Sequence, residues 1–500
     1  MDVKDVRTRL RVAEQIVREG RLLVGPPEPR EHYSTFRDRV GPYPSYYGIG
    51  QSLFFLPFAA VERALPTGLG PRRSRGLVAL MVFALMLWLN YVLCALVARA
   101  LGAGALAAAL AAFVAIFGSS FWQMAKEGQE EVQLSVLALA GVLGFLEWRR
   151  TGSGRGLWMS AGAMALAGTF RPTAVTFAVG LPGLYCWHMW HSEAPARSTR
   201  TSLGRVLLPF LLAGSGTVLV VGAYNAFKTG SPLSTGYALY FTEGAAWRGL
   251  VGPTLGLDRG VIWGNLWLLP LSMLCWARRR SLRTETKLAL GLGAWLLLSS
   301  LLIYCTWYTW AGDHTFGARF QQHAVPLLGT ALAAGALQGM SLRAPRRAGV
   351  AIGAVLLLAV LQVPSLVFVN NLELLQILAE GDPPTPPGVT PTAARGGQLR
   401  LRLANLEAKL ETGHTMDLDT VIHGSHAGEK IGGSNWSDLS DAAAATLLTD
   451  SSRWDFWPWR LGDSIGPRAS AWARAVWVFF VLASVTAWVA LFTRLREGEP

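Results

Sequence analysis

The chain has 500 residues, 51% of them apolar, and its 45 Lys and Arg residues against 32 Asp and Glu residues give a formal net charge of +13. This length and apolar fraction are typical of a polytopic membrane protein and exclude a soluble multidomain one. The basic residues cluster in short loops between apolar runs and form no stripe with interleaved aromatic residues, which excludes nucleic acid as a partner. The four cysteines lie in or beside apolar runs, and no CxxC, HExxH, P-loop or GxSxG motif is present, so the sequence predicts no metal site and no cofactor.

The first fifty residues are polar and precede the apolar part of the chain. Apolar side chains recur at helical spacing between positions 10 and 17, which predicts an amphipathic helix that opens at Asp5 and ends just before Gly20. The positive end of the helix dipole favours an acid in the first turn and keeps it ionised. Asp5 is therefore either a cap on a surface helix or a functional acid.

The pattern of this stretch is an Asp that opens a helix, Ala13 eight residues later, Gly20 fifteen residues later, and a turn rich in Tyr, Pro and Gly at 43–50. It resembles the first external loop of GT-C glycosyltransferases, above all the protein O-mannosyltransferase and aminoarabinose transferase group. In that family the loop Asp is the proposed general base and the sugar arrives on a polyprenyl phosphate. The resemblance thus implies that Asp5 is catalytic. Val6 stands where the family usually has a second acid, which leaves an inactive GT-C-like scaffold as an alternative.

Residues 51–66 are apolar but short, and suit a juxtamembrane helix. The sequence predicts an all-α polytopic membrane protein, a GT-C-like bundle of about 11 transmembrane helices with a small extracytoplasmic insert. The predicted spans are 77–98, 103–121, 131–148, 157–170, 173–189, 205–223, 260–277, 286–305, 323–341, 347–369 and 472–493. The predicted domains are an extracytoplasmic loop with juxtamembrane helices (1–76), the bundle (77–369), the extracytoplasmic insert (370–471), and the last helix with a cytoplasmic tail (472–500).

Arginine and lysine residues mark one set of run ends as cytoplasmic. These residues are Arg99, Arg149, Arg150, Arg155, Arg197, Arg200, Arg205, Arg278–Arg280, Arg283, Lys287, Arg343, Arg346, Arg347, Arg494 and Arg496. The polar, aromatic and glycine-rich loops then fall on the opposite face, with Arg72, Arg73 and Arg75 as the exception. A site on one surface favours an enzyme over a transporter or lipid-carrier flippase, whose ionisable residues would lie at mid-depth.

Two outer loops carry charged candidates. Glu127, Glu130 and Glu131 in the loop 121–131 either bind the acceptor or the sugar, or belong to a solvated turn that caps the next helix. Lys228 in the loop 224–237 either binds a lipid-linked phosphate or is a snorkelling lysine.

The stretch 307–320 resembles a W-x-G-x-x-x-x-G-x-R-[FY] pattern that similar bacterial glycosyltransferase-like proteins carry before a late helix. Arg319 at its end would bind the leaving polyprenyl phosphate bidentately. Trp310 suits stacking on a sugar ring. Asp313 and His314 are either an acid/base pair or a locally hydrogen-bonded pair.

Arg171 interrupts an apolar region at the predicted outer end of a span, where a charge is costly unless it is paired or reaches the interface. It is a further candidate for binding the donor phosphate, and snorkelling beside Pro172 is the alternative. The aromatic pair Tyr46 and Tyr47 in the first turn is a candidate for binding the acceptor or the sugar.

Together these residues predict an inverting glycosyltransferase of a bacterial inner membrane, with its active face extracytoplasmic. Asp5 would deprotonate an acceptor hydroxyl, while Arg319, Lys228 and Arg171 would stabilise the departing phosphate. The partners are a polyprenyl-phosphate-linked sugar and membrane lipids, and the acceptor is a lipid, a glycan or a protein. Because GT-C relatives place the catalytic Asp just after an N-terminal span, we also expect an apolar helix of about 20 residues upstream of Met1.

Overall fold

A computed structural model describes most of the chain up to residue 337 and short stretches beyond it. The described residues are 4–24, 43–45, 47–64, 70–191, 199–235, 246–256, 260–306, 319–337, 398–413, 430–431, 434–435, 466, 468, 471–472 and 475. The predicted span 347–369 lies outside them, as do most of the insert 370–471 and of the last span 472–493. The number of spans and the domain boundaries therefore stay predictions.

The described part of the chain is all-helical apart from two pairs of two-residue strands. The helices are α1 (Lys4–Glu19), α2 (Ile49–Ala64), α3 (Gly70–Ala100), α4 (Ala105–Phe117), α5 (Phe121–Glu127), α6 (Glu130–Thr151), α7 (Gly154–Phe170), α8 (Val175–His191), α9 (Thr199–Thr229), α10 (Ala246–Leu255), α11 (Leu268–Ala277), α12 (Thr284–Tyr304), α13 (Val325–Leu337) and α14 (Gln398–Thr412). Strands β1 (Leu23–Val24) and β2 (Tyr43–Pro44) pair antiparallel, as do β3 (Lys430–Ile431) and β4 (Ser434–Asn435). Two 3₁₀ turns cover Pro172–Ala174 and Arg319–Gln321.

Four helices in the described ranges are long and apolar enough to cross a membrane. They are Met81–Ala100 within α3, Glu130–Thr151, Leu203–Thr229 within α9, and Thr284–Tyr304. Helices α4, α11 and α13 are apolar but shorter. The chain is thus a multi-pass membrane protein, as its composition predicts.

The N-terminal helix forms as its sequence pattern predicts. Helix α1 ends at Glu19, and Gly20 follows in the left-handed conformation with φ of 66°, which a glycine adopts without strain. Val6 is fully buried in the core. Val6, which replaces an acid in the pattern that this stretch resembles, therefore serves packing in this chain. Helix α2 forms where a juxtamembrane helix is expected, its place at the membrane stays a prediction, and Arg63 near its end donates a hydrogen bond to the Val17 carbonyl at 2.6 Å.

Three predicted boundaries are wrong. The stretch 121–131 is no solvated loop, because it forms the short helix α5, a left-handed Gly128 and the start of α6. Helix α9 continues to Thr229, so Lys228 lies in its last turn and not in a loop. Residues 260–267 form turns, and α11 begins only at Leu268. Polar residues in these stretches suggest loops in the sequence. In the structure they find partners at the end of the bundle, so helices can contain them.

The bundle has two chemically different ends. Arg149 near the end of α6 forms a 2.9 Å ion pair with Glu285 at the start of α12. At the opposite end of the same two helices, Glu130 and Tyr304 both contact Arg171. The 22 residues of α6 span about 33 Å, close to the thickness of a bilayer core. We call the end with Arg149 and Glu285 the basic end, and the end with Glu130 and Tyr304 the polar end.

The glycines of the first turn allow two backbones to touch at the polar end. A Cβ atom at Gly48 would lie 2.2 Å from the Phe170 carbonyl oxygen, and one at Gly50 would lie 2.5 Å from the Thr169 hydroxyl. The chain that enters α2 therefore lies directly on the end of α7. This contact fixes the N-terminal segment beside Arg171, which follows Phe170.

We expect Gly48→Ala to lower the free energy of unfolding by about 1–3 kcal/mol, because the new methyl group meets a backbone oxygen that cannot rotate away. Gly162→Ala in α7 is a matched control, since a Cβ there meets nothing within 4 Å and alanine favours a helix. Thermal unfolding of both variants in the same detergent checks this. Equal melting temperatures for the two variants would contradict the contact.

Candidate active site

Five charged side chains from distant parts of the chain are buried together at the polar end. They are Arg9, Glu130, Glu131, Arg171 and Arg319, and none of these side chains is more than 8% exposed. We call this set the charge cluster. Charged side chains are rarely buried without partners, so their mutual contacts decide whether the cluster is stable.

The two glutamates join the three arginines into one chain of contacts. Glu130 Oε2 forms an ion pair with Arg9 Nη2 at 2.8 Å, and Glu130 Oε1 accepts a hydrogen bond from Arg171. Glu131 accepts through Oε1 from Arg171 Nη2 at 2.9 Å and from Arg319 Nε at 3.2 Å. Each carboxylate therefore bridges two guanidinium groups, and Arg171 is shared between both.

The local backbone explains how these side chains meet. Glu130 and Glu131 occupy the first turn of α6, where the helix dipole favours acids. Arg171 lies at the break between α7 and α8, with an extended backbone at φ −154° and ψ 151°. Arg319 begins the 3₁₀ turn that precedes α13. Helix ends from three parts of the chain thus converge on one point.

Aromatic rings hold the arginines in place. The Phe320 ring stacks on Tyr304 at 4.0 Å and 7°, and the guanidinium carbons of Arg171 and Arg319 lie 5.5 and 5.6 Å from its centre. Arg9 lies 4.2 Å from the centre of the Tyr47 ring. Cations over aromatic faces are attracted by the ring quadrupole, so the rings stabilise the charges and fix their orientation.

The cluster carries more positive than negative charge. Among the described side chains, three guanidinium groups face two carboxylates in a buried place, an excess of one positive charge. Arg9 Nε and Nη1 are buried and have no hydrogen-bond partner among the described residues. An excess buried cation with donors to spare favours the binding of an anion.

Lys228 of α9 lies beside Tyr224, which contacts the N-terminal segment. Its amine donates to the Thr235 carbonyl and lies 5.5 Å from the centre of the Tyr224 ring. The Tyr224 hydroxyl donates to the Ser45 carbonyl at 3.3 Å, and its ring packs against Val12 of α1. Lys228 is buried and does not extend into solvent as a snorkelling lysine would.

The structure brings four of the sequence-predicted residues into direct contact, namely Glu130, Glu131, Arg171 and Arg319. Because all four are buried and paired, a solvated turn does not account for the two glutamates, nor does snorkelling for Arg171. Six further candidates cannot be placed. Tyr46, Trp310, Asp313 and His314 lie outside the described residues, as do the side chains of Asp5 and Glu127.

Arg9 is the cluster member that the sequence pattern did not single out. It lies between Val6 and Leu10 on α1, and all three side chains are buried. A charged residue flanked by apolar ones on a buried helix face is a signal that could have found it. Position 5 lies one helical turn before position 9, so the α1 backbone carries both on one face.

No family model matches the chain, and no curated protein matches it. Two solved structures of ArnT from Cupriavidus metallidurans are similar to it. The apo structure has 14% sequence identity, a TM-score of 0.48, and coverage of 92% of this chain and 73% of that chain. The structure bound to undecaprenyl phosphate has 15% identity with the same TM-score and coverage. ArnT is a GT-C aminoarabinose transferase.

Proposed function

We propose that the chain is a GT-C type membrane glycosyltransferase that moves a sugar from a polyprenyl-phosphate donor to an extracytoplasmic acceptor. The observation that best supports this is the charge cluster, with its three buried guanidinium groups at one end of an apolar bundle. A polyprenyl-phosphate sugar has complementary parts. Its chain suits the apolar outer surface of the helices, and its phosphate suits guanidinium donors.

In the proposed reaction, Asp5 takes the proton of an acceptor hydroxyl. The hydroxyl oxygen then forms a bond to the anomeric carbon, and the bond from that carbon to the phosphate oxygen breaks with inversion. Polyprenyl phosphate leaves with the electron pair, and Arg319, Arg171 and Lys228 stabilise its charge. The position of Asp5 one turn before Arg9, whose side chain belongs to the cluster, supports this assignment.

The remaining candidates surround this reaction. We propose that Glu130 and Glu131 orient the arginines, since both accept from them, and that the other predicted residues contact the acceptor or the sugar. Those other residues are Tyr46, Tyr47, Glu127, Trp310, Asp313 and His314.

The depth of the cluster within the helix bundle favours an enzyme over a transporter. Both glutamates lie in the first turn of the 22-residue helix α6, at its end and not at its middle. A transporter or flippase would place its ionisable residues near the middle of the bilayer. The basic end lies opposite the cluster, which supports an extracytoplasmic active face in a bacterial inner membrane.

The direct test incubates the purified protein in lipid nanodiscs with a panel of polyprenyl-phosphate sugars and measures released polyprenyl phosphate. We expect release that depends on the attached sugar and on an added membrane extract containing the acceptor. A protein that releases no polyprenyl phosphate, yet moves these lipids across the bilayer of sealed vesicles, would be a flippase.

We expect Arg319→Lys to lower kcat/KM for the donor by roughly ten- to a hundredfold, because loss of a hydrogen bond to a charged group costs about 1.5–3 kcal/mol. Arg319 engages Glu131 through its Nε, and lysine offers only a point charge in place of the planar fork. Initial rates at varied donor concentration measure this. The control is Arg149→Lys at the basic end, which should leave kcat/KM unchanged. If both variants lose kcat/KM equally, Arg319 has no specific role in donor binding.

A further inference from the structure

A second set of buried polar groups directly follows Arg319 in the chain. Gln321 is fully buried, and neither its amide nitrogen nor its amide oxygen has a hydrogen-bond partner within the described part of the chain. The same holds for Gln322 Oε1 and for His323 Nε2. We call Gln321, Gln322 and His323 the amide–imidazole group.

The tautomer of His323 follows from its backbone contact. Its Nδ1 lies 3.0 Å from the Phe320 carbonyl oxygen. A carbonyl oxygen only accepts, so Nδ1 carries the proton and Nε2 presents a lone pair. The unpaired atoms of the group therefore comprise one donor, Gln321 Nε2, and three acceptors.

The group lies next to the charge cluster. Gln321 is two residues from Arg319 in the same 3₁₀ turn, and His323 contacts the backbone of Phe320, whose ring centre lies 5.5 Å from the Arg171 guanidinium carbon. The His323 ring lies 5.8 Å from the Phe177 ring, and only 6% of the residue is exposed. Neutral hydrogen-bonding groups thus adjoin the guanidinium groups.

Unpaired buried polar atoms are uncommon, because each loses its hydrogen bonds to water on folding and gains none in return. A contrast in the same protein is Asn90 in α3, whose amide donates to the Met86 and Val132 carbonyls and accepts from Ser135. Four unpaired atoms within three successive residues therefore indicate that a group beyond the described residues satisfies them.

The mixture of donors and acceptors limits the chemistry of that ligand. A phosphate only accepts and would leave three acceptors unpaired, while an ammonium group only donates and would leave the donor Gln321 Nε2 unpaired. Hydroxyl groups donate and accept. We infer that the amide–imidazole group is the subsite for the donor sugar, and that this sugar presents hydroxyl groups and no charged amine. This inference rests on the proposed function and assigns its substrate class.

The test measures the binding of polyprenyl phosphate and of polyprenyl phosphate carrying a neutral hexose to the full chain in nanodiscs. We expect the protein to bind the hexose-bearing lipid more tightly. Gln321→Leu and His323→Phe should each lower the affinity for the hexose-bearing lipid by about three- to tenfold, which is the effect of one neutral hydrogen bond. The affinity for the lipid without a sugar should not change.

Thermal stability separates this role from a structural one. Gln321→Leu replaces atoms that have no partner and should not lower the melting temperature, whereas Asn90→Leu removes three bonds and should lower it. His323→Phe serves as the second variant if Gln321→Leu fails to fold.

Three outcomes would overturn the inference, and they are distinguishable. If the protein binds neither lipid, the proposed function fails with it. If the protein binds both lipids, and the two variants lower the affinity for both lipids or for neither, the amide–imidazole group holds only water. The proposed function then stands. If it binds a lipid with an amino sugar more tightly than the hexose-bearing lipid, the hydroxyl assignment is wrong.

Discussion

Asp5→Asn is expected to reduce the rate of sugar transfer by a factor on the order of 10²–10⁴, the usual effect of losing a general base. The amide has nearly the same volume as the carboxylate but cannot take the proton of the acceptor hydroxyl. Donor binding should change little, because the proposed phosphate-binding residues Arg319, Arg171 and Lys228 are untouched. The measurement is the single-turnover rate of polyprenyl phosphate release, with donor affinity determined in parallel.

The competing explanation is that Asp5 only caps α1. A cap contributes roughly 0.5–2 kcal/mol to stability and nothing to turnover. Glu19→Gln provides the matched control, since Glu19 is an exposed acid at the other end of the same helix. If Asp5→Asn keeps the rate of the unmodified protein and only lowers the melting temperature, Asp5 is a cap and the catalytic base lies elsewhere.

Local sequence patterns predicted the helices whose ends depend on local chemistry. Helix α1 stops at Glu19 because Gly20 adopts a left-handed conformation that needs no tertiary contact. The end of α9 was misplaced because the polar residues around Lys228 look like a loop. Their partners, such as the Thr235 carbonyl, become available only when the chain turns back at Gly230. Such contacts belong to the tertiary structure and leave no periodic signal.

The charge cluster was only partly predictable for a similar reason. Arg171 stood out because a charge in an apolar region is costly, and that rule requires a partner without naming one. Its partner Glu130 lies 41 positions earlier, and Arg319 meets Glu131 across 188 positions. Pairings at such distances depend on how the helix ends converge. Arg9 escaped notice because a charged residue on a short polar helix is ordinary until the helix is seen to be buried.

The largest effect on stability is expected from Glu131→Gln. The side chain of Glu131 is 0% exposed and joins Arg171 to Arg319, so the substitution leaves both guanidinium groups without a shared counter-charge. Removing one partner of a buried ion pair typically costs about 3–5 kcal/mol. The amide preserves the volume and can still accept one hydrogen bond, so the loss reports on charge and not on packing.

The opposite end of the same helix bundle supplies the control for this prediction. Glu285 pairs with Arg149 at the basic end, and their side chains are 32% and 21% exposed. Glu285→Gln should therefore cost only about 0–1 kcal/mol, because water screens the pair and solvates what remains. Denaturant titration of both variants in the same micelles measures the difference. Equal losses would show that Glu131 is as well hydrated as Glu285, and the charge cluster would then not be a buried site with excess positive charge.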